Sequence, residues 1–276
     1  MKTCSNMNRQ FVKITLLSIL IPLAFSCKKK NKGDIDPFSG ESGVCPLLAM
    51  VDGSGKTVRD FEYVQDNLIR IYSMEESETI MSFKYDEKGL IKTMEVESEN
   101  ENETLKVTYT YDDNGRVNKT STSVGGISFL TNSFVLNDGN ISAVVTTVKL
   151  FGKEISGNTR IVYSGKNVSQ VLTSIDGEPE KLAFVGDVYD DKPQFHPKAY
   201  KIAALGFVGI ANNFFSFFGE NNLVSGRIYD EDGKVDQRTD INYSYNNQGL
   251  PMSSETTTER GGDVSTQNVS YEFKCN

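Results

Sequence analysis

One turn phrase recurs along the chain and restricts it to a fold built from β-hairpins. Each strong copy has an aromatic residue, a run of Asp, Glu or Asn with one variable position, and then a glycine. We expect the aromatic side chain to pack on the sheet and the first Asp or Asn to bond the turn backbone, while the glycine takes a positive φ angle. Strong copies begin at Tyr85, Tyr111, Tyr229 and Tyr245, and weaker ones at Leu136 and Tyr163.

The segments between the turns alternate apolar and polar residues with the period of two that is typical of strands. Clear examples are Leu105 to Tyr111, Ile141 to Leu150 and Val264 to Phe273. Two Thr-rich runs, at residues 120–123 and 256–258, are expected on exposed sheet faces. The pattern predicts a mainly β fold, a large twisted antiparallel β-meander to which each repeat adds a hairpin.

Residues 197–212 break the strand pattern, because they are Ala-rich, almost uniformly apolar and open with a proline. Proline is favoured at the first position of a helix, and a helix that is apolar all round is buried. We therefore predict one apolar helix packed on a sheet face, as a core plug or a mobile lid. A loop inserted into a membrane is the alternative.

The first 26 residues have the organisation of a signal peptide. Lys2, Arg9 and Lys13 precede an apolar run over residues 14–25. At ~1.5 Å per residue this run reaches about 18 Å, well short of the ~30 Å hydrocarbon core of a bilayer. It is therefore interpreted as the apolar region of a signal peptide and not as a spanning helix.

The segment Leu23-Ala24-Phe25-Ser26-Cys27 resembles the lipobox of bacterial lipoproteins. That resemblance implies a diacylglycerol on the Cys27 thiol, cleavage before this residue and acylation, as by palmitate, of the new amino group. The alternative is an ordinary secretory signal. Two or three acyl chains give a stable anchor where one does not. The implied membrane contact is through Cys27.

The rest of the chain divides into a tether and one domain. Residues 27–44 contain the lipidated cysteine and a polar, flexible stalk with an r.m.s. span of about 20 to 24 Å. Residues 45–276 form the predicted β-meander domain. Cys45 and Cys275, near its two ends, could form a disulfide or stay as separate thiols, because sequence alone does not bring their Cα atoms within reach.

Composition excludes several classes of function. Acidic residues outnumber basic ones 37 to 29, for a net charge of -8. Such a surface repels phosphate backbones, so no nucleic-acid partner is predicted. The single histidine is His196, and no Gly-x-Ser-x-Gly motif accompanies it. We expect His196 to be a loop residue near a helix start.

No metal, cofactor or catalytic residue is predicted. Too few His and Cys residues are present for zinc, and Asp190-Asp191 and the Asp-rich turns lack the spacing of a calcium loop. The acidic run from Glu95 to Glu103 is expected at a solvated hairpin tip. A pair of carboxylates for glycoside hydrolysis stays open, since a chain with this many acidic residues always contains some pair.

Several of these phrases also occur in a fixed order. The Tyr-Asp turns are followed by Tyr189-Asp-Asp-Lys-Pro193, an apolar helical stretch, Asn221-Asn222-Leu-Val, and a last turn phrase that ends at Pro251. Together they resemble a family of Bacteroidetes lipoproteins with a domain of unknown function, over residues 55–275. The resemblance implies a twisted β-meander in the cell envelope. It implies no activity and no functional residue beyond Cys27.

These observations predict a monomeric, non-enzymatic outer-membrane lipoprotein that binds an extracellular glycan, peptide or protein. The alternative is a periplasm-facing structural or assembly component, and a hydrolase is the third hypothesis. The side of the membrane is left open by the sequence.

Overall fold

The structure is a computed structural model that describes residues 45–74, 78–98, 103–208 and 212–275. The predicted signal peptide, Cys27, the tether and part of the acidic run from Glu95 to Glu103 lie outside these residues. In the described part, sixteen strands follow one another as antiparallel neighbours. The strands are β1 (Leu47–Asp52), β2 (Thr57–Val64), β3 (Asn67–Ser73), β4 (Thr79–Tyr85), β5 (Ile91–Ser98), β6 (Leu105–Tyr111), β7 (Val117–Val124), β8 (Ile127–Asn137), β9 (Asn140–Leu150), β10 (Lys153–Ser164), β11 (Asn167–Ile175), β12 (Lys181–Pro193), β13 (Asn221–Tyr229), β14 (Val235–Tyr245), β15 (Pro251–Arg260) and β16 (Asp263–Phe273).

The sheet is a closed barrel, so the prediction of an open β-meander with a helix on one face is wrong. β1 pairs with β16 through partners such as Met50 and Tyr271, which joins the first strand to the last. Sheets twist, and a long twisted sheet can remove its two unpaired edges by closing on itself. Local hairpin signals specify each neighbour pair, but they do not specify that closing pair.

The two ends of the barrel differ. The terminal end contains Cys45, Cys275 and the turns with Gly89 and Gly115, because even-numbered strands finish there. The far end contains the opposite set of turns, such as the one with Gly262. Both chain ends of the described domain therefore leave the barrel on the same side.

The apolar segment lies inside the barrel as a plug, which we define as residues 194–208 and 212–220 between β12 and β13. Its helix, α1 (Lys198–Ala204), is only seven residues long and continues as 3₁₀ turns at Leu205–Phe207 and Asn212–Phe218. Pro197 precedes the helix at the N-cap. A closed barrel buries a segment that is apolar all round on every side, whereas one sheet face would cover half of it.

Polar residues of β6, β7 and β8 support the plug from one side. The hydroxyl of Thr122 donates a hydrogen bond of 3.1 Å to the carbonyl oxygen of Gly206. The side-chain amide of Asn132 donates a hydrogen bond of 3.1 Å to the carbonyl oxygen of Leu205. The same oxygen accepts a hydrogen bond from the hydroxyl of Thr120. Thr120 and Thr122 are buried, so the expectation that this Thr run lies on an exposed face is wrong at these two positions.

Aromatic rings support the plug from the other side. Phe195 packs edge-on against Tyr243 of β14 and Tyr271 of β16, with ring centroids 5.5 and 5.2 Å apart. The ring centroids of Phe215 and of Phe184, on β12, lie 6.3 Å apart. Contacts on both sides place the plug across the interior near the terminal end.

The turn chemistry predicted from the repeated phrase is confirmed. The Asp86 carboxylate accepts from the backbone N–H of Lys88 and Leu90, each at 2.9 Å, and Gly89 takes a φ of 77°. Asp112, Asp230 and Asn246 repeat this arrangement. The positive φ requires glycine here because a Cβ would strain the turn.

The outer surface of the barrel carries charged side chains on its strands. Glu95 of β5 pairs with Lys84 of β4 at 2.6 Å and with Lys106 of β6 at 3.3 Å. Arg160 pairs with Glu180 in the same way at 2.6 Å. These ion pairs lie on the outer face of the sheet. No described helix is long and apolar enough to cross a membrane.

Candidate functional site

The terminal end of the barrel is sealed by tyrosines. The hydroxyl of Tyr85 donates to the carbonyl oxygen of Leu68 at 2.8 Å, and that of Tyr163 donates to the carbonyl oxygen of Ile141 at 3.1 Å. Tyr111 and Tyr189 make equivalent bonds to the preceding strand. Because all these side chains face inward beside the plug, they fill the interior at that end.

Cys45 and Cys275 are joined by a disulfide with a Cα–Cα distance of 4.3 Å. The bond lies beside the pairing of β1 with β16, and therefore ties together the two strands that close the barrel. Cys27, the predicted lipid attachment site, lies outside the described residues.

His196 is buried in the plug among aromatic rings. The centroid of its ring lies 5.1 Å from that of Phe195, on which it stacks, and 4.4 Å from that of Phe217, to which it is tilted. Neither ring nitrogen has a hydrogen-bond partner among the described residues. Burial holds the pKa of the imidazole well below its usual range, and the charges of Lys201 and Arg59 lower it further. The ring is therefore neutral, and it contacts the aromatic rings of Phe195, Tyr200 and Phe217.

Asp190 has a structural role at the terminal end. Its carboxylate accepts from the backbone N–H of Lys192 at 3.0 Å and from that of Asn222 at 3.1 Å, and the hydroxyl of Tyr245 also donates to it. These bonds hold β12, β13 and β14 together beside the plug. The carboxylate of Asp191 forms an exposed ion pair with the ammonium group of Lys192. Among the described residues, no group of three His, Cys, Asp or Glu side chains is placed to hold a metal.

Towards the far end, β14, β15 and β16 present uncharged polar side chains to the interior. Tyr243 faces inward against the plug, so the residues two and four positions before it share that face. Thr239 pairs with Thr258, which pairs with Ser265. One row closer to the plug, Thr256 pairs with Gln267. These five inward-facing residues, which we call the polar wall, are half-buried or exposed to solvent.

Aliphatic side chains line the interior on the opposite side, from β7 to β11. Thr122 faces the plug, so its partner Leu130 and the next partners in that row, Val148 and Ile155, also face inward. The same alternation places Val124, Ile127, Leu150 and Ile175 on that inner face, together with the charged Lys153 and Lys181. We define the aliphatic wall as Val124, Ile127, Val148, Leu150, Ile155 and Ile175.

The aliphatic wall is open to water. Ile127 is 75% exposed, Ile175 57%, Leu150 44% and Ile155 41%, although all four face the interior. Large side chains with this exposure on an inner face require an unfilled space beside them. We call this space, between the aliphatic wall and the polar wall, the far lumen. A sixteen-strand barrel is wide enough to leave such a space.

The far lumen has no strong signal in the amino-acid sequence. The Thr256-Thr257-Thr258 run was expected on an exposed face, but alternation does not tell which of two polar faces turns inward. The aliphatic wall has a weak signal, since Ile127, Leu150 and Ile175 each stand within two residues of a turn glycine.

Comparisons with known proteins add little to this geometry. No protein-family model matches the chain, and no curated protein matches it. A porin-like protein from Bacteroides uniformis aligns with 13% identity over 81% of this chain and 88% of its own, at a TM-score of 0.33. The structure of TcdB2-TccC3-TEV aligns with 10% identity over 78% of this chain and 14% of its own, at 0.25. At these TM-scores neither similarity carries an argument, and the lipoprotein family resemblance stays a prediction.

A closed antiparallel β-barrel is compatible with an outer-membrane location.

Proposed function

We propose that this chain is a lipid-anchored envelope protein that binds its ligand, without catalysis, in the far lumen. The observation that carries the proposal is an interior closed by the plug at one end and exposed at the other. Ligand sites in barrels lie in such mouths, where a concave apolar surface meets a few polar groups. The two walls of the far lumen supply both.

The position of the chain ends supports an anchor that leaves the mouth accessible. Cys45, the first described residue, lies at the terminal end beside the plug. A tether over residues 27–44 therefore joins the barrel at its sealed end. Charged pairs such as Lys84 with Glu95 on the outer wall favour a barrel held near the membrane by lipid and surrounded by water.

Binding is tested by a thermal-shift screen of soluble glycans, peptides and amphiphiles on the barrel domain. The domain is a self-contained unit because its first and last strands pair with each other. Thr258→Tyr fills the far lumen, and Thr257→Tyr, on the outer face of the same strand, is the matched control. A ligand should raise the Tm of the wild type and of the control but not of Thr258→Tyr. Equal shifts in all three proteins, or no shift with any compound, would contradict a site in the far lumen.

Anchoring is tested by protease treatment of intact cells, with Cys27→Ala as the comparison. The wild-type protein should fractionate with membranes, whereas the variant should not. Loss of the protein from intact cells would indicate the cell surface, and protection until the outer membrane is opened would indicate the periplasmic side. A Cys27→Ala protein that stays membrane-bound would show that lipid is not the anchor.

A further inference from the structure

We infer that one side of the far rim of the barrel inserts into a zwitterionic lipid interface. The apolar rim, which we define as Ile127, Leu150 and Phe151, lies on the neighbouring hairpin tips β7–β8 and β9–β10. Phe151 is 98% exposed, Ile127 75% and Leu150 44%. The inference goes beyond ligand binding in the far lumen, and its choice of a lipid surface rests on the proposed anchor.

Phe151 occupies a turn position that favours a small polar residue. Its φ is 51°, in the left-handed region, and Gly152 follows at 75°. The turn that joins β8 to β9 has nearly the same φ angles, 49° and 82°, but contains Asp138 and Gly139. A bulky residue is an outlier in this region, and backbone strain of this kind clusters at functional sites. Since the ring barely touches the rest of the protein, a contact outside the molecule explains its place.

The two tips reach the same level and project beyond the next tip along the chain. Leu130 of β8 pairs with Val148 of β9, and each tip lies three residues beyond that pair. The next tip begins at Asp176, whose backbone N–H donates to the carbonyl oxygen of Ser156. Five residues, or about 16 Å of strand, lie between Ser156 and Phe151. A flat surface can therefore touch the apolar rim without touching the recessed turn at Asp176.

The charges that flank the apolar rim balance, which favours a zwitterionic surface over a charged one. Lys149 forms an ion pair of 2.9 Å with Glu154 on the β9–β10 hairpin. Lys153 adds a positive charge beside the turn, and Glu103, exposed two residues before β6, adds a negative one. A strongly charged bilayer would gain little from this set, whereas burial of the three apolar side chains is favourable at any lipid interface.

The chain outside the described residues is long enough to bring the apolar rim to the membrane. Cys45 lies at the terminal end, opposite the rim. The tether predicted over residues 27–44 reaches about 60 Å when fully extended. β10, of 12 residues, spans about 40 Å. The barrel can therefore tilt its far rim onto the bilayer that holds the anchor, and contact on the β7–β10 side leaves the mouth open beside the polar wall.

The test is flotation of the barrel domain, which lacks the proposed anchor, with vesicles of palmitoyl-oleoyl phosphatidylcholine. The wild type should float with the vesicles at low and high salt alike, because salt does not screen apolar burial. Phe151→Asn should lower the partition coefficient about tenfold, since one aromatic ring is withdrawn from the interface. Asn before glycine suits this turn, so the variant should unfold at an equal or higher temperature. Val264→Asn is the matched control, since Val264 is 66% exposed beside the β15–β16 tip, across the barrel.

Insertion is measured directly with Phe151→Trp, because the chain contains no tryptophan. Its emission should shift to the blue on vesicles and be quenched by lipids with brominated acyl chains, whereas that of Val264→Trp should do neither. Thr258→Tyr, which fills the far lumen, should bind vesicles like the wild type. This variant separates contact at the apolar rim from capture of a lipid molecule in the lumen.

Absence of wild-type flotation, its loss in Thr258→Tyr, or equal effects of Phe151→Asn and Val264→Asn would overturn the inference. So would a dimer that Phe151→Asn converts to a monomer without any vesicle binding, since a second copy would then cover the apolar rim. A lower unfolding temperature of Phe151→Asn would show that the ring supports the fold, and would overturn it as well. A thermal shift by a soluble ligand depends on none of these results, so binding in the far lumen would stand without the lipid contact.

Discussion

The hydroxyl of Tyr85 donates a hydrogen bond of 2.8 Å to the carbonyl oxygen of Leu68, and so ties the end of β4 to the start of β3. Burial raises the pKa of Tyr85 to about 12, so the donor keeps its proton at physiological pH. Similar bonds recur around the terminal end of the barrel, from Tyr111 and Tyr163 of the repeated turn phrase and from Tyr189, which lies outside that phrase. The copies that begin at Tyr85, Tyr111 and Tyr163 therefore encode both a turn and a tie to the preceding strand.

Tyr85→Phe should lower the free energy of unfolding by about 1 to 2 kcal/mol, because the buried carbonyl of Leu68 loses its donor. Tyr229→Phe is the control, since this tyrosine belongs to the same phrase but its ring lies under the Arg227 guanidinium at 5.8 Å. The control should change stability by less than about 0.5 kcal/mol. Urea unfolding measures both, and equal losses would show that the hydrogen bond has no specific role.

His196 should make the barrel less stable in mild acid. Its folded pKa lies well below the ordinary value of 6.5, so below pH 6.5 the unfolded chain binds a proton that the folded chain does not. The neutral ring therefore makes its full contribution to the free energy of unfolding above pH 6.5. Below that pH the free energy of unfolding falls by up to about 1.4 kcal/mol per pH unit. His196→Phe should remove this slope between pH 7 and pH 5.5. The chain has one histidine, so an unchanged slope in the variant would contradict the burial of a neutral ring.

Gly206 allows the plug to approach the barrel wall. A Cβ at this position would lie 2.8 Å from Cγ1 and 2.9 Å from Cγ2 of Val107 on β6. Gly206→Ala should therefore cost about 1 to 3 kcal/mol through overpacking. Gly53→Ala, where the new Cβ would meet its nearest atom at 3.5 Å, should be nearly neutral. Equal stability of the two variants would mean that the plug does not fit this closely.

The disulfide between Cys45 and Cys275 closes a loop with a sequence separation of 230 residues. In the chain-entropy account, replacing both cysteines by alanine should cost about 5.5 kcal/mol, because the unfolded chain gains freedom. Urea unfolding with and without reductant measures the loss. Reductant should weaken the wild type by the same amount and leave the double variant unchanged. A reductant effect below about 1 kcal/mol would contradict a role in closure.

The hairpin turns can be predicted from the amino-acid sequence, whereas the pairing of β1 with β16 that closes the barrel cannot. A turn such as Asp86 to Gly89 is specified by side chains within five residues, so its chemistry can be predicted locally. The pairing of Met50 with Tyr271 depends on how twist accumulates over all sixteen strands. The plug was recognised as apolar, but a helix packed on one sheet face and a helix inside a barrel have the same local pattern.

The site was hidden for a related reason. Thr122 and Thr258 belong to Thr-rich runs that look alike, yet the first bonds the plug at Gly206 and the second lines the far lumen. Alternation separates two faces of a strand without saying which turns inward when both are polar. Only the placement of the plug against Tyr243 and Thr122 fixes the inner face.

The most direct test of the far lumen is the reactivity of a single introduced thiol. In the barrel domain both native cysteines are in the disulfide, so Thr258→Cys, Thr257→Cys and Thr122→Cys each carry one free thiol. We predict that maleimide modifies Thr258→Cys almost as fast as the outward control Thr257→Cys, and that a bound ligand slows only Thr258→Cys. Thr122→Cys, beneath the plug, should react far more slowly. If Thr258→Cys reacts as slowly as Thr122→Cys, the lumen is closed and the proposed site does not exist.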